Sequence, residues 1–213
     1  MEVSLWKFRK LILLIIGGLA ILVLIGTVGV ELFTPKEVSA DATSTVGVTA
    51  TVESWLTFQV STTSVSLTPA LVDSTGATHI GSSTAITLTL GTNNTNGWSI
   101  TIQGANGGLY SNTASHLIST VSGTSTLSAG TDGYGANATA TYSGVTIGNY
   151  YDYWGTDTVG EIASSTSYTL ASRDSPNAEA DVADMKIKAA AQATTPAAND
   201  YSDTITLTAI PST

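Results

Sequence analysis

Cysteine is absent from this chain of 213 residues. That excludes disulfides, a thiol nucleophile, thiolate metal sites and a lipobox anchor. An exported domain without disulfides must hold together by core packing, a bound ion or assembly with neighbours. Positive charge is almost as scarce. From Asp41 to Ser172 there is no Lys or Arg, and only Arg173, Lys186 and Lys188 follow. Phosphate contacts depend on Lys and Arg, which argues against nucleic acid and against anionic lipid headgroups as partners. Histidine occurs only at 79 and 116. No Gly-x-Ser-x-Gly elbow singles out a serine, so neither imidazole has an evident nucleophile, and the expectation is no enzyme. No sortase-type Leu-Pro-x-Thr-Gly signal lies near the end, which reads ITLTAIPST.

One long apolar run is present. Leu11–Val30 is uncharged and about as long as an α-helix needs to be to cross a bilayer. Lys7, Arg9 and Lys10 precede it, which keeps the N-terminus inside and sends the remainder outward. Pro35 follows, and Val38-Ser39-Ala40 resembles a signal-peptidase site, with cleavage after Ala40. The alternative is a retained anchor, because the run exceeds most signal h-regions. Either outcome places 41–213 outside the cytoplasm, with 1–40 as signal or anchor and the membrane touched only through residues 11–30. The leading segment carries Lys7, Arg9, Lys10 and Lys36 against Glu2, Glu31 and Glu37, so the exported part holds −10 of a whole-chain charge of −9.

The exported part is rich in Thr, Ser, Val and Gly, residues of strands and turns. Val46, Val48, Ala50 and Val52 alternate with Thr, and Leu56, Phe58 and Val60 resume the phase, predicting one long strand or two joined by a bulge. A short strand is expected at Ser64–Thr68. The segment TAITLTLGTNNTNGWSITIQ (84–103) predicts a hairpin: Ile86, Leu88 and Leu90, an Asn-Gly turn, then Trp98, Ile100 and Ile102. Further strands are expected at Ser115–Val121, Tyr142–Ile147, Ser167–Ala171, Val182–Ala190 and Asp203–Ile210. The Gly-rich stretch SGTSTLSAGTDGYGANATA predicts long loops, and SRDSPNAEAD an exposed one. Short strands between turn signals and no amphipathic helix predict an all-β fold, an antiparallel β-sandwich, Ig-like or jelly-roll-like.

The stretch TLTLGTNNTNGWSITIQ and the ending TPAANDYSDTITLTAIP resemble the exported β-sandwich proteins of bacterial envelopes: spore-coat U-type domains, WxL-type surface domains and TasA-type fibre subunits. The resemblance implies a structural or adhesive surface role. WxL-type domains carry two Trp-x-Leu motifs; here Trp98-Ser99-Ile100 approximates the first and the last strand has no Trp.

The loop NYYDYWGTDTVGE holds the residues most suited to contact. Tyr150, Tyr151, Tyr153 and Trp154 accompany Asp152, Asp157 and Glu161. Aromatic faces beside carboxylates suit a sugar ring or a subunit interface, and equally suit the end of a core. No cofactor is expected. Calcium is the one metal the oxygen-rich loops suit, through Asp132, Asn137, Asp152 and Asp157, although no EF-hand pattern occurs. Asn93 and Asn137 stand in N-x-[ST] triplets, which matter only where exported proteins are glycosylated. Asp184, Lys186 and Lys188 read as an alternating outer face rather than a cross-linking site. The expected function is a cell-surface structural subunit of a layer or fibre. Its partners would be further copies or other envelope proteins, with Val46, Val48, Ala50 and Val52 as a strand that either pairs within its own sandwich or inserts into a neighbour. The alternative is an adhesin or carbohydrate-binding module.

Overall fold

The computed structural model describes residues 47–213, so Ala40, Val46 and the run Leu11–Val30 lie outside the described residues. Thr51–Thr213 form one compact unit. Among the described residues there is no helix, and none long and apolar enough to cross a membrane. The strands, in chain order, are β1 (Leu56–Val60), β2 (Ile80–Ser82), β3 (Ile86–Thr92), β4 (Trp98–Gly104), β5 (Gly108–Ser111), β6 (His116–Ser119) and β7 (Thr124–Thr126). They continue with β8 (Gly133–Ala140), β9 (Thr146–Ile147), β10 (Thr158–Gly160), β11 (Tyr168–Arg173), β12 (Asn177–Ala190) and β13 (Ile205–Pro211).

Two antiparallel sheets face one another. The larger runs β1-β3-β12-β8-β10-β7, with β2 also on β12; the smaller runs β13-β4-β11-β9; β5 and β6 form a separate hairpin. The core lies between the two sheets. Ile86, Leu88, Leu90, Ala136, Met185 and Ile187 contribute from one side, and Trp98, Ile100, Ile102 and Leu170 from the other. The fold is all-β and sandwich-like, as the alternation predicts.

The expected hairpin at 84–103 is not one. Both strands form where the pattern puts them, but β3 pairs with β1 and β12, whereas β4 pairs with β13 and β11. The chain arches from one sheet to the other, and the two apolar faces meet across the core instead of side by side. Gly97 makes the arch with φ +75°, its N–H donating to Asn94 O at 3.0 Å. A Cβ there would come within 1.8 Å of Arg173 O. Asn177 ties the two sheets at this pole: its Nδ2 donates to Leu90 O and its Oδ1 accepts the Trp98 indole N–H, both at 2.8 Å. Period-2 alternation reports which face is buried, not which strand lies alongside.

The Gly-rich stretch is also corrected. It contains β7 and the interior strand β8, whose residues Gly133–Ala138 are all buried. Both faces of β8 are covered, so small side chains replace alternation, as in strands buried on two sides. Gly135 shows why: a Cβ would stand 2.4 Å from Gly160 O. The charged segment SRDSPNAEAD is not one exposed loop, since β11 runs through Arg173 and β12 begins at Asn177. Ser64–Thr68 forms no strand; Thr68 makes one isolated bridge to Ser82. Tyr142–Ile147 keeps only Thr146–Ile147 as β9.

The strand expected over Val46–Val52 is absent from its described part. Gly47–Trp55 has no regular secondary structure and every residue is exposed, with Val48 86 % and Val52 84 % accessible. Pairing begins only at Leu56.

Candidate functional site

The aromatic loop divides between core and surface. Tyr151 is fully buried in the main core, its hydroxyl donating to Glu161 O, while its own carbonyl accepts the Ala138 N–H at 2.7 Å. Burial, with the charge of Glu161 nearby, pushes its phenol well above the usual range. Tyr150 is 39 % exposed and stands edge-on to Tyr168 at 5.2 Å. Asp152 is exposed, Tyr153 and Trp154 are half-buried, and Trp154 lies under the Lys186 ammonium at 4.6 Å.

Beneath this loop sits a polar hub that the sequence did not reveal. Asn137, on β8, is fully buried, and its Nδ2 reaches the carbonyls of Tyr153, Thr156 and Thr158 at 3.1–3.2 Å. Lys188, on β12, is only 9 % exposed. Its Nζ donates to Thr156 O at 2.6 Å and pairs with Asp157 at 2.9 Å. The expected outward phase of Lys188 is therefore corrected: the side chain does leave the core face, but the 153–158 loop folds over it. Carbonyls left by an irregular loop need donors, and these two side chains supply them. Asn137 is thereby removed as a glycan acceptor in the folded unit, while the Asn93 amide donates to Glu53 O at 2.7 Å.

The oxygen ligands considered for calcium are not gathered together. Asp157 is paired with Lys188, Asn137 presents its amide nitrogen to the loop, and Asp132 Oδ1 accepts from Gln192 N and Thr195 Oγ1. Among the described residues, no three His, Cys, Asp or Glu side chains are placed to hold a metal. Each histidine faces a carboxylate: His79 and Asp73 at 3.3 Å, His116 and Asp132 at 3.5 Å. Asp73 is the centre of a tight loop, its carboxyl held far below the usual range by the Thr75 hydroxyl, then His79 and the Thr75 N–H.

A groove is the second feature that sequence reasoning missed. It encloses about 610 Å³ at the pole opposite the 93–97 arch. Leu67, Leu71, Leu109, Tyr134, Ile187 and Ile205 line it, beside polar residues such as Asp73 and Asn199. Asp203 lines it as well; its Oδ1 accepts the N–H groups of Ala105, Asn106 and Thr204, and its Oδ2 is buried without a hydrogen-bond partner. These residues come from five separated stretches. The one local signal is Leu67-Thr68-Pro69-Ala70-Leu71, apolar yet interrupted by a proline, hence apolar surface outside a ladder.

Comparison with family models, with curated proteins and with solved structures finds no match to this chain.

Proposed function

We propose that the chain is a non-enzymatic structural subunit of an exported layer or fibre at the cell surface, joined to its neighbours through its N-terminal segment. An Ig-like or jelly-roll-like sandwich is the scaffold assigned to it. The observation that carries this reading is Gly47–Trp55. Its Val48, Ala50 and Val52 alternate with polar residues as a half-buried strand does, yet each of them is exposed. Apolar side chains spaced for a sheet and left in water offer a neighbour an alternating face to cover. A neighbour that pairs with this segment would join successive cysteine-free subunits through main-chain hydrogen bonds. The export signal expected at 1–40 supports a place outside the cytoplasm. Negative-stain microscopy of the native cell surface, with mass spectrometry of the mature N-terminus, tests this. Polymers whose subunits begin at Asp41 are expected; monomers dispersed in the membrane with Met1 intact contradict it.

A second reading, as a carbohydrate-binding surface protein, is favoured by the exposed Tyr150 ring beside Tyr168 and Asp152. Binding of the monomer on a glycan array, lost in Tyr150→Ala, would select it over assembly.

A further inference from the structure

We infer that Asn106 is a site of spontaneous chemical modification, its side-chain amide converted to aspartate and isoaspartate through attack by the Gly107 nitrogen. The chain contains two Asn-Gly steps, Asn96-Gly97 and Asn106-Gly107. By sequence the two are alike, because a glycine leaves the nitrogen that follows each asparagine unhindered and its backbone free to turn. The structure separates them.

The Gly97 nitrogen is held. Its N–H donates to Asn94 O at 3.0 Å, and its carbonyl accepts the Ser212 N–H at 3.0 Å. Gly97 is also buried against the Arg173 carbonyl. Swinging this nitrogen toward the Asn96 side chain breaks the bond to Asn94 in a place with no room for movement.

The Asn106-Gly107 peptide unit is free. Among the described residues, neither the Asn106 carbonyl nor the Gly107 N–H makes a hydrogen bond. Asn106 is exposed, in the turn between β4 and β5. Gly107 has φ +66°, and the nearest atom to a Cβ built on it is the Ser164 hydroxyl oxygen at 3.2 Å. The Asn106 side chain makes one long hydrogen bond, Nδ2 to Ser202 O at 3.4 Å. Asp203 Oδ1 accepts the N–H groups of Ala105 at 3.1 Å and Asn106 at 2.9 Å, which anchors the chain just ahead of the reacting unit. Rotation about the Asn106 main chain therefore brings the Gly107 nitrogen to Cγ without breaking a bond of that unit.

The reaction needs no partner but water. The Gly107 nitrogen loses its proton to solvent base and bonds to Asn106 Cγ. The Cγ–Nδ2 bond breaks and ammonia leaves, taking up a proton, so that a succinimide remains. Water then opens the ring at either carbonyl, giving aspartate, or isoaspartate with the main chain routed through the side chain. Each product replaces a neutral amide with a carboxylate next to Asp203 and removes the donor to Ser202 O. The change falls where β13 starts along β4, Ile205 pairing with Gly104.

The test ages the full chain at mildly alkaline pH, either folded in buffer or unfolded in urea. The protein is then cut with a chymotrypsin-like protease and read by mass spectrometry and by enzymatic methylation of isoaspartate. In the folded protein, modification at Asn106 should outpace that at Asn96 roughly tenfold, about the factor that one hydrogen bond of ordinary strength supplies. In urea the two rates should converge. Equal rates in the folded protein, a faster Asn96 or an unmodified Asn106 overturns the inference. A ratio that persists in urea also overturns it, since the difference would then come from the sequence and not from the fold. Asn106→Gln is the second variant; its ring would be one atom larger and closes far more slowly, so the isoaspartate signal of the folded protein should disappear. A signal that remains belongs to another residue and overturns the assignment.

Discussion

At the scale of residues, a few buried polar groups tie the loops to the apolar core. Asn137→Ala removes the donor shared by three loop carbonyls. Tyr153 O keeps the Thr156 N–H and Thr156 O keeps Lys188 Nζ, so the loss should cost about 1 kcal/mol in urea unfolding, with faster amide exchange across 153–158. Tyr151→Phe, which keeps the ring and loses one hydrogen bond, should cost about 1 kcal/mol. Tyr151→Ala should cost about 3–5 kcal/mol, because the ring is core. Burial raises the phenols of Tyr134 and Tyr151 above the ordinary value of 10.0, with Asp203 adding to the first and Glu161 to the second. The unfolded chain releases these protons first as pH rises, so their contribution is complete below pH 10.0 and falls above it. Alkaline titration should show part of the phenolate absorbance appearing together with loss of near-UV dichroism. Complete phenolate absorbance with the dichroism intact would count against their burial. Asp200 behaves oppositely: the Ser111 hydroxyl, then the Thr113 N–H, lower its carboxyl to about 2. Its contribution is present above the unfolded value of 3.8 and fades as pH falls toward 2.

At the scale of elements, the sequence disclosed which residues face inward better than it disclosed their neighbours. Ile86, Leu88 and Leu90 and Trp98, Ile100 and Ile102 are all buried as their alternation requires. The arch that separates them escaped, because an Asn-Gly turn serves a hairpin and an arch alike, and the partners β12 and β13 are remote in sequence. Strand β8 escaped for another reason: a strand covered on both faces by close neighbours uses Gly and Ala, which read as loop. Lys188 was misplaced because alternation assigns a face but cannot see a loop folding back over it. The arch gives a sharp prediction. Gly97→Ala should destabilise the unit by more than the ~1 kcal/mol of an ordinary loop exchange, since positive φ and the Arg173 carbonyl both oppose a side chain. Equal urea midpoints for this variant and the parent would show that the arch tolerates a side chain. Deleting residues 47–52, by contrast, should leave the midpoint unchanged, because those side chains are exposed.

At the scale of the whole molecule, charge distribution and polarity matter most. With no Lys or Arg between Glu37 and Ser172, trypsin should leave that stretch through Arg173 as one fragment even from unfolded protein. Trypsin resistance is therefore no measure of folding here, and a broad-specificity protease must be used. The proposed assembly through the N-terminal segment predicts open-ended association of the exported protein. Sedimentation velocity of the exported protein across a wide concentration range tests that most directly. Open-ended species that lengthen with concentration, and that vanish in the Val48→Asp, Val52→Asp variant, are predicted; a protein that remains a monomer throughout would contradict the account.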